Sequence, residues 1–216
     1  MIALGRRPAS VSARIEDVDG LRAQFRVAQW VRLRHFLEPD LLQFIQLHIA
    51  NGQFAERTHG SGGAAWAREA QMQPNPALSL LYFLANDPSV FHAVRSITGC
   101  GRIGCFVGRV YRMRPDPGHY DWWHSDAVDH RLIGMSLNVG TDVYEGGLFQ
   151  MRDGASKHVL SDVVNTTPGD AFLFRLDPGL EHRVSAVEGA IDKVAFAGWF
   201  SSEPAFASLL RSPLEP

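Results

Sequence analysis

The segment Asp121-Trp-Trp-His-Ser-Asp126 carries an imidazole and a carboxylate two residues apart, His124 and Asp126. In an extended chain, residues i and i+2 point to the same side. His124 and Asp126 can therefore aim a ring nitrogen and a carboxylate oxygen at one point. A second imidazole, His182, follows 58 residues later in Leu180-Glu-His-Arg-Val184. Two histidines and one carboxylate on one face of a ferrous ion leave three positions open for other ligands. His124-Ser125-Asp126 by itself is a weak signal, because such a tripeptide arises by chance in many chains. Lys193 adds to it. It stands eleven residues after His182, in the apolar run Asp192-Lys-Val-Ala-Phe-Ala-Gly-Trp-Phe200. A turn at Glu188-Gly-Ala190 would pair that run antiparallel to the His182 segment and place Lys193 deep in the same barrel. A buried lysine needs an anion, either an internal Asp or Glu or the carboxylate of a ligand.

The elements that must hold these groups read as β. Residues 102–113, 132–139, 147–151, 171–176, 182–187 and 193–200 are short apolar runs. Gly, Pro and Asp punctuate them, as in Glu145-Gly-Gly147, Pro168-Gly-Asp170 and Pro178-Gly179. Six or more strands at this spacing, with no helical stretch between them, indicate a sandwich or jelly roll rather than βαβ units. Residues 1–100 read as mostly helical, after a strand-like entry at Gln29–His35. Helices are expected from Pro39, from Asn75-Pro76 and from Asp87-Pro88 to Gly99, each with an apolar stripe. The Gly-rich stretch Arg57–Trp66 has no phosphate-loop spacing and reads as a flexible loop, a candidate lid. The expectation is an α+β chain of one domain over 1–216. Residues 1–100 form a helical support packed on one sheet, 101–200 a jelly-roll core, and 201–216 a C-terminal tail.

Composition bounds the function. The chain has 216 residues, 45% apolar and 20% charged, which suits one globular core. Lys plus Arg number 21 against 23 Asp plus Glu, a formal charge of −2, so no nucleic-acid or anionic-membrane partner is expected. No apolar run reaches the ~20 residues of a membrane span, and Met1–Arg7 does not read as a signal peptide. Two cysteines make no disulfide framework, so a cytoplasmic setting is expected. Nine histidines are present, five of them between His119 and His182. His119 and His130 read as surface or substrate-side groups, and His158 as an exposed loop residue.

The ordered series Tyr111, His124-Ser-Asp126, Ser136-Leu-Asn138, Glu145-Gly-Gly-Leu-Phe149, Pro168-Gly-Asp170, Phe174, His182-Arg-Val184, Gly189, Lys193 and Gly198-Trp-Phe200 resembles the 2-oxoglutarate- and Fe(II)-dependent oxygenases. It is most similar to their prolyl 4-hydroxylase-like branch, over roughly residues 104–200; Phe36–Leu41 also looks like that branch's N-terminal helix. The resemblance implies a double-stranded β-helix, the jelly-roll or cupin-like core. It implies His124, Asp126 and His182 as Fe(II) ligands and Lys193 as partner of the distal carboxylate of 2-oxoglutarate. Many members have Arg ten residues after the histidine, where this chain has Lys one residue later. Tyr111, Asn138 and Trp199 are further cosubstrate candidates, each with a plain packing or turn role as its alternative. The implied reaction takes 2-oxoglutarate and O2 to succinate and CO2 while a C–H bond of the substrate is oxidised. The carboxylate Asp126 favours hydroxylation or a related oxidation, since halogenases of the family have a small residue in its place; the triad leaves desaturation, epoxidation and ring formation open. Arg109, Trp122, Trp123 and Arg131 are the substrate-side candidates, for a small molecule, an amino acid or a peptide. A cupin-type enzyme without 2-oxoglutarate and a non-catalytic jelly-roll binding protein are the alternatives.

Overall fold

Proline-primed caps start three of the helices. In the computed structural model, which describes residues 17–61, 64–116, 118–128 and 130–203, Asp17 caps α1 (Val18–Ala28), and the short strand β1 (Trp30–Leu33) follows. Helix α2 (Pro39–Ala50) has proline in its first turn. Two long strands then appear, β2 (Phe54–Ser61) and β3 (Ala64–Met72). The Asn75 side chain accepts from the Leu78 N–H to open α3 (Pro76–Ala85), and Asp87 does the same for Ser89 in α4 (Pro88–Thr98). Gly99, at φ 71°, stops α4 in the left-handed region.

The remaining strands are β4 (Cys105–Met113), β5 (Tyr120–His124), β6 (Arg131–Asn138), β7 (Glu145–Gly146), β8 (Phe149–Asp153), β9 (Val159–Val163), β10 (Ala171–Arg175), β11 (Leu180–Val184), β12 (Val187–Glu188) and β13 (Lys193–Ser201). One antiparallel sheet runs β1-β10-β6-β13-β4-β3-β5-β11-β8-β9, with β2 paired to β3; β12 and β7 pair separately. Strand β3 turns the corner: Ala70 and Gln71 pair with β4, while Ala67 and Arg68 pair with β5. The sheet thereby curls on itself into the jelly roll expected from the strand spacing.

Period-two alternation divides the interior in two. On β13, Val194, Phe196 and Phe200 face the helices, in a core shared with Ile45, Leu81, Val94, Phe106 and Leu137. Ala195 turns the other way, with Tyr111, Met113, Phe149, Phe172 and Phe174, into the barrel. Lys193 and Trp199 share the parity of Ala195 and line the barrel cavity.

The helical first half is corrected at residues 54–72. The Gly-rich stretch is part of a β2–β3 pair that extends the sheet beside β4 and β5, and its strands carry Glu56, Arg57, Arg68 and Glu69, charges that break the apolar alternation of an ordinary strand. Helix α1 and strand β9 have no counterpart among the expected elements. No described helix is long and apolar enough to cross a membrane. Met1–Arg7 and residues 204–216 of the expected tail lie outside the described residues.

Candidate metal centre

Strand β5 carries a bulge that sets the site. His124 pairs with His182 and Asp121 pairs with Val184, so three steps on β5 match two on β11. The extra residue reverses the alternation. Asp121 and His124 therefore both line the cavity although they are three residues apart. The strand ends at His124, and Asp126 reaches the same place from the loop beyond it rather than from an extended strand.

His124, Asp126 and His182 offer ligand atoms that all lie within 4.8 Å of one another. The Asp126 Oδ2 is 3.8 Å from His124 Nε2 and 3.3 Å from His182 Nε2. Bonds of ~2.1 Å to one ion put neighbouring octahedral ligands ~3 Å apart, so the three atoms need to close by only ~1–2 Å to share one face of a metal ion. His124 Nδ1 donates to the Trp122 carbonyl at 2.7 Å, which leaves Nε2 as the lone-pair nitrogen of the neutral ring. Trp66 of β3 stacks on the His124 ring at 4.1 Å between centroids, and Phe149 on His182 at 5.4 Å. Burial alone would raise the Asp126 carboxyl. The two imidazoles beside it, His124 and His182, outweigh burial when protonated and hold the group well below the usual carboxylate range.

Deeper in the same cavity stands Lys193, 3% exposed. Its Nζ donates to the Gly147 carbonyl at 2.7 Å, and the Tyr144 ring lies 5.6 Å away. Gly147 sits at φ 56°, and a Cβ there would meet the Tyr144 ring at 2.9 Å and Lys193 Cδ at 3.2 Å. The Gly-Gly turn thus aims a carbonyl at the lysine, a role that its turn signature did not announce. Burial pushes the Lys193 ammonium down to about 8, with the Asp121 charge opposing. Among the described residues no Asp or Glu forms an ion pair with it; its hydrogen-bond partner is a neutral carbonyl.

The other expected site residues separate. Tyr111 is buried and lines the cavity. Trp199 lies at the metal end: its Nε1 donates to Asp126 Oδ2 at 2.8 Å. Asn138 serves the backbone. Its Nδ2 donates to Asn165 O and its Oδ1 accepts from Gly140 N, which fixes the turn after β6 and directs the side chain away from the cavity. Arg109 is held by the carboxylate of Glu69, through Nε to Oε1 and through Nη2 to Oε2 at 3.1 Å. Arg131 bonds Asp126. Trp122 is 54% exposed, and the guanidinium groups of Arg152 and Arg183 lie over the Trp123 ring, at 4.2 and 4.7 Å to its centroid; neither tryptophan lines the cavity. His119 is buried against Glu56, at 3.0 Å, and does not line the cavity, where a surface or substrate-side group was expected. His130 and His158 are exposed.

Two cavity acids are invisible in the sequence. Asp121 Oδ1 is buried and accepts no hydrogen bond from the described residues; His124 Nδ1 is 3.3 Å from it but points its N–H at the Trp122 carbonyl. The i, i+3 spacing to His124 gives no sign of it, because only the bulge makes the two co-facial. Glu69, 3% exposed, also takes a contact from His59 at 3.0 Å. Burial would raise its carboxyl, but Arg109 and His59 outweigh burial and hold it below its ordinary value. Replacing Glu69 with Ala strands the Arg109 cation and should cost ~3–5 kcal/mol in urea unfolding. The double variant Glu69→Leu/Arg109→Met should recover most of that loss; an equal loss in both would show that packing, not the stranded charge, sets the cost.

No family model and no curated protein sequence matches the chain. Solved structures do. The chain is similar to a 2OG-Fe(II) oxygenase family oxidoreductase from Burkholderia pseudomallei, at 16% identity over 94% of this chain and 97% of that one, with a TM-score of 0.64. It is similar to a prolyl hydroxylase from Trichoplax adhaerens in complex with a hypoxia inducible factor oxygen degradation domain peptide fragment, at 15% identity over 91% and 93% of the two chains, with a TM-score of 0.63. It is also similar to the epimerase SnoN in complex with Fe3+, alpha ketoglutarate and nogalamycin RO, at 13% identity over 92% and 91%, with a TM-score of 0.61. The chain therefore has the double-stranded β-helix fold of these proteins over nearly its whole described length.

Proposed function

We propose that this protein is an Fe(II)- and 2-oxoglutarate-dependent dioxygenase that hydroxylates a C–H bond of a small molecule, an amino acid or a peptidyl substrate. One observation carries the reading. A His-Asp-His set that could hold one ion shares a cavity with a buried lysine that forms no ion pair with a protein carboxylate among the described residues. A buried cation without an internal ion-pair partner calls for an anionic ligand, and the distal carboxylate of a 2-oxo acid cosubstrate would supply one. The fold shared with 2OG-Fe(II) oxygenases supports the assignment.

His124, Asp126 and His182 would hold the iron, and Lys193 the distal carboxylate of 2-oxoglutarate. When bound, iron and cosubstrate supply the oxidising chemistry: 2-oxoglutarate and O2 give succinate and CO2, and one oxygen atom goes to the substrate. The chain's own residues position and shield. The Gly147 carbonyl steers the Lys193 ammonium into the cavity. Trp66, Phe149 and Phe174 pack around the two imidazoles and keep water from them. Arg109 and Arg131 are engaged by Glu69 and Asp126, and Arg109 lines the cavity together with Trp66, Tyr120 and Trp199, the wall that a substrate would meet. Peptide and small-molecule ligands are each named for a protein of this fold.

The test needs no substrate. Aerobic incubation of the iron-loaded protein with 2-oxoglutarate should release succinate slowly, and His124→Ala should not. Stable 2-oxoglutarate in the presence of iron-loaded wild type, together with metal-dependent oxidation of any substrate without it, would favour a cupin-type reaction instead.

A further inference from the structure

Asp126 is the one member of the metal set that does not stand on a strand, so the sheet ladder does not fix it. Its two oxygens nevertheless have separate environments. Oδ2 faces both imidazoles, at 3.8 Å from His124 Nε2 and 3.3 Å from His182 Nε2. Oδ1 accepts from Arg131 Nη1 at 3.1 Å, and the same nitrogen lies 3.4 Å from the Asp126 backbone carbonyl. Arg131 is itself immobilised. Its guanidinium lies over the Trp199 ring at 3.7 Å to the centroid, and Trp199 Nε1 donates to Oδ2 at 2.8 Å. Trp199 belongs to β13, which is hydrogen-bonded to β4 on one side and β6 on the other. Arg131 opens β6 and pairs there with Ser201 of β13. A rigid strand pair thus reaches the loop carboxylate through two donors, one on each oxygen.

We propose that Arg131 and Trp199 are positioning residues that hold Asp126 to ligation through one oxygen, Oδ2, and so keep a coordination position from being taken by Oδ1. This rests on the metal-site reading above and goes beyond it. A carboxylate free to rotate can offer both oxygens to an ion. A guanidinium on Oδ1, stacked so that it cannot follow the rotation, removes that option and lowers the donor strength of the carboxylate. The reason for conscripting an arginine here is the loop: a ligand on a strand is oriented by its neighbours, and a ligand off the end of one is not.

The experiment uses Co(II) as the probe, read by its visible d–d spectrum and by titration, on the full chain. Arg131→Met removes the charge and the Oδ1 donor. It should change the coordination spectrum and alter Co(II) affinity ~10–100-fold, the range found for partners of metal ligands. Arg131→Lys restores a donor without the planar stack and should recover part of the wild-type spectrum. Trp199→Phe keeps the ring beneath the guanidinium and removes the N–H; it should move the spectrum in the same sense, and it serves if Arg131→Met fails to fold. Wild-type spectrum and affinity within about twofold in both Arg131→Met and Trp199→Phe would overturn the clamp. Failure of wild type to bind Co(II), with His182→Ala indistinguishable from it, would overturn the metal site itself and the clamp with it.

Discussion

Replacing Lys193 with methionine should raise the 2-oxoglutarate concentration needed for half-maximal succinate release by ~30-fold or more while leaving metal binding intact. Methionine keeps most of the side-chain volume, so the change isolates the charge. Truncating one partner of a buried charge pair costs ~2–5 kcal/mol, and each ~1.4 kcal/mol is tenfold in affinity. The lysine is buried with Tyr111, Tyr144 and Asp121 in its surroundings. Burial pushes both phenols up, so they stay neutral at moderate pH. Burial pushes the ammonium down to about 8. Below about pH 8 Lys193 is therefore charged and can pair with a carboxylate; above it the ammonium loses its proton and the pair loses its cation. Affinity for 2-oxoglutarate should be flat below pH 8 and fall toward tenfold per pH unit above it, with uptake of a proton on binding. In the ligand-free protein the same shift makes stability rise between pH 8 and the ordinary lysine value of 10.5, because the unfolded chain binds the extra proton there. A pH-independent affinity from 7 to 9.5 would show that another group holds the anion.

His182→Ala should abolish iron-dependent turnover and weaken Fe(II) binding by more than about 100-fold, beyond the 10–100-fold typical of losing a residue that only supports a ligand. His182 is 9% exposed, on a strand paired on both sides, and its ring packs against Phe149 and Phe174. The gap that the variant leaves is flanked by the rings of Phe149 and Phe174, which offer no ligand atom. Metal binding should also weaken as pH falls, because a bound metal competes with protons for imidazole nitrogens, and Asp126 and Asp121 favour the protonated His124 over the effect of burial. Equilibrium dialysis of Fe(II) or Co(II) against pH, in wild type and variant, checks both statements.

Strand alternation and helix caps are legible in the order of the residues. Val194, Phe196 and Phe200 against Lys193, Ala195 and Trp199, and Ile133, Met135 and Leu137 against Gly134 and Ser136, fix which face of each strand meets the helices. The proline and asparagine caps place α2, α3 and α4 nearly to the residue. The hidden features depend on departures from regularity or on distant pairing. Asp121 joins His124 only through a bulge. Glu69 meets Arg109 across 40 residues, on a strand pair whose glycines and charges imitate a solvated loop. The parity of Asn138 is legible, but its partners, a backbone carbonyl 27 residues away and the next turn's N–H, are not. Arg109 and Arg131 look available in the sequence because a sequence shows a cation and not its counter-ion.

The central claim is that one cavity holds both iron and the keto acid. Anaerobic addition of Fe(II) and 2-oxoglutarate to the wild-type protein tests it most directly, by the visible metal-to-ligand charge-transfer band that forms only when a 2-oxo acid chelates ferrous iron. The account predicts a band in wild type, none in His182→Ala, and a band in Lys193→Met only at much higher 2-oxoglutarate. Absence of the band in iron-loaded wild type at saturating 2-oxoglutarate, or an equal band in His182→Ala, would contradict it.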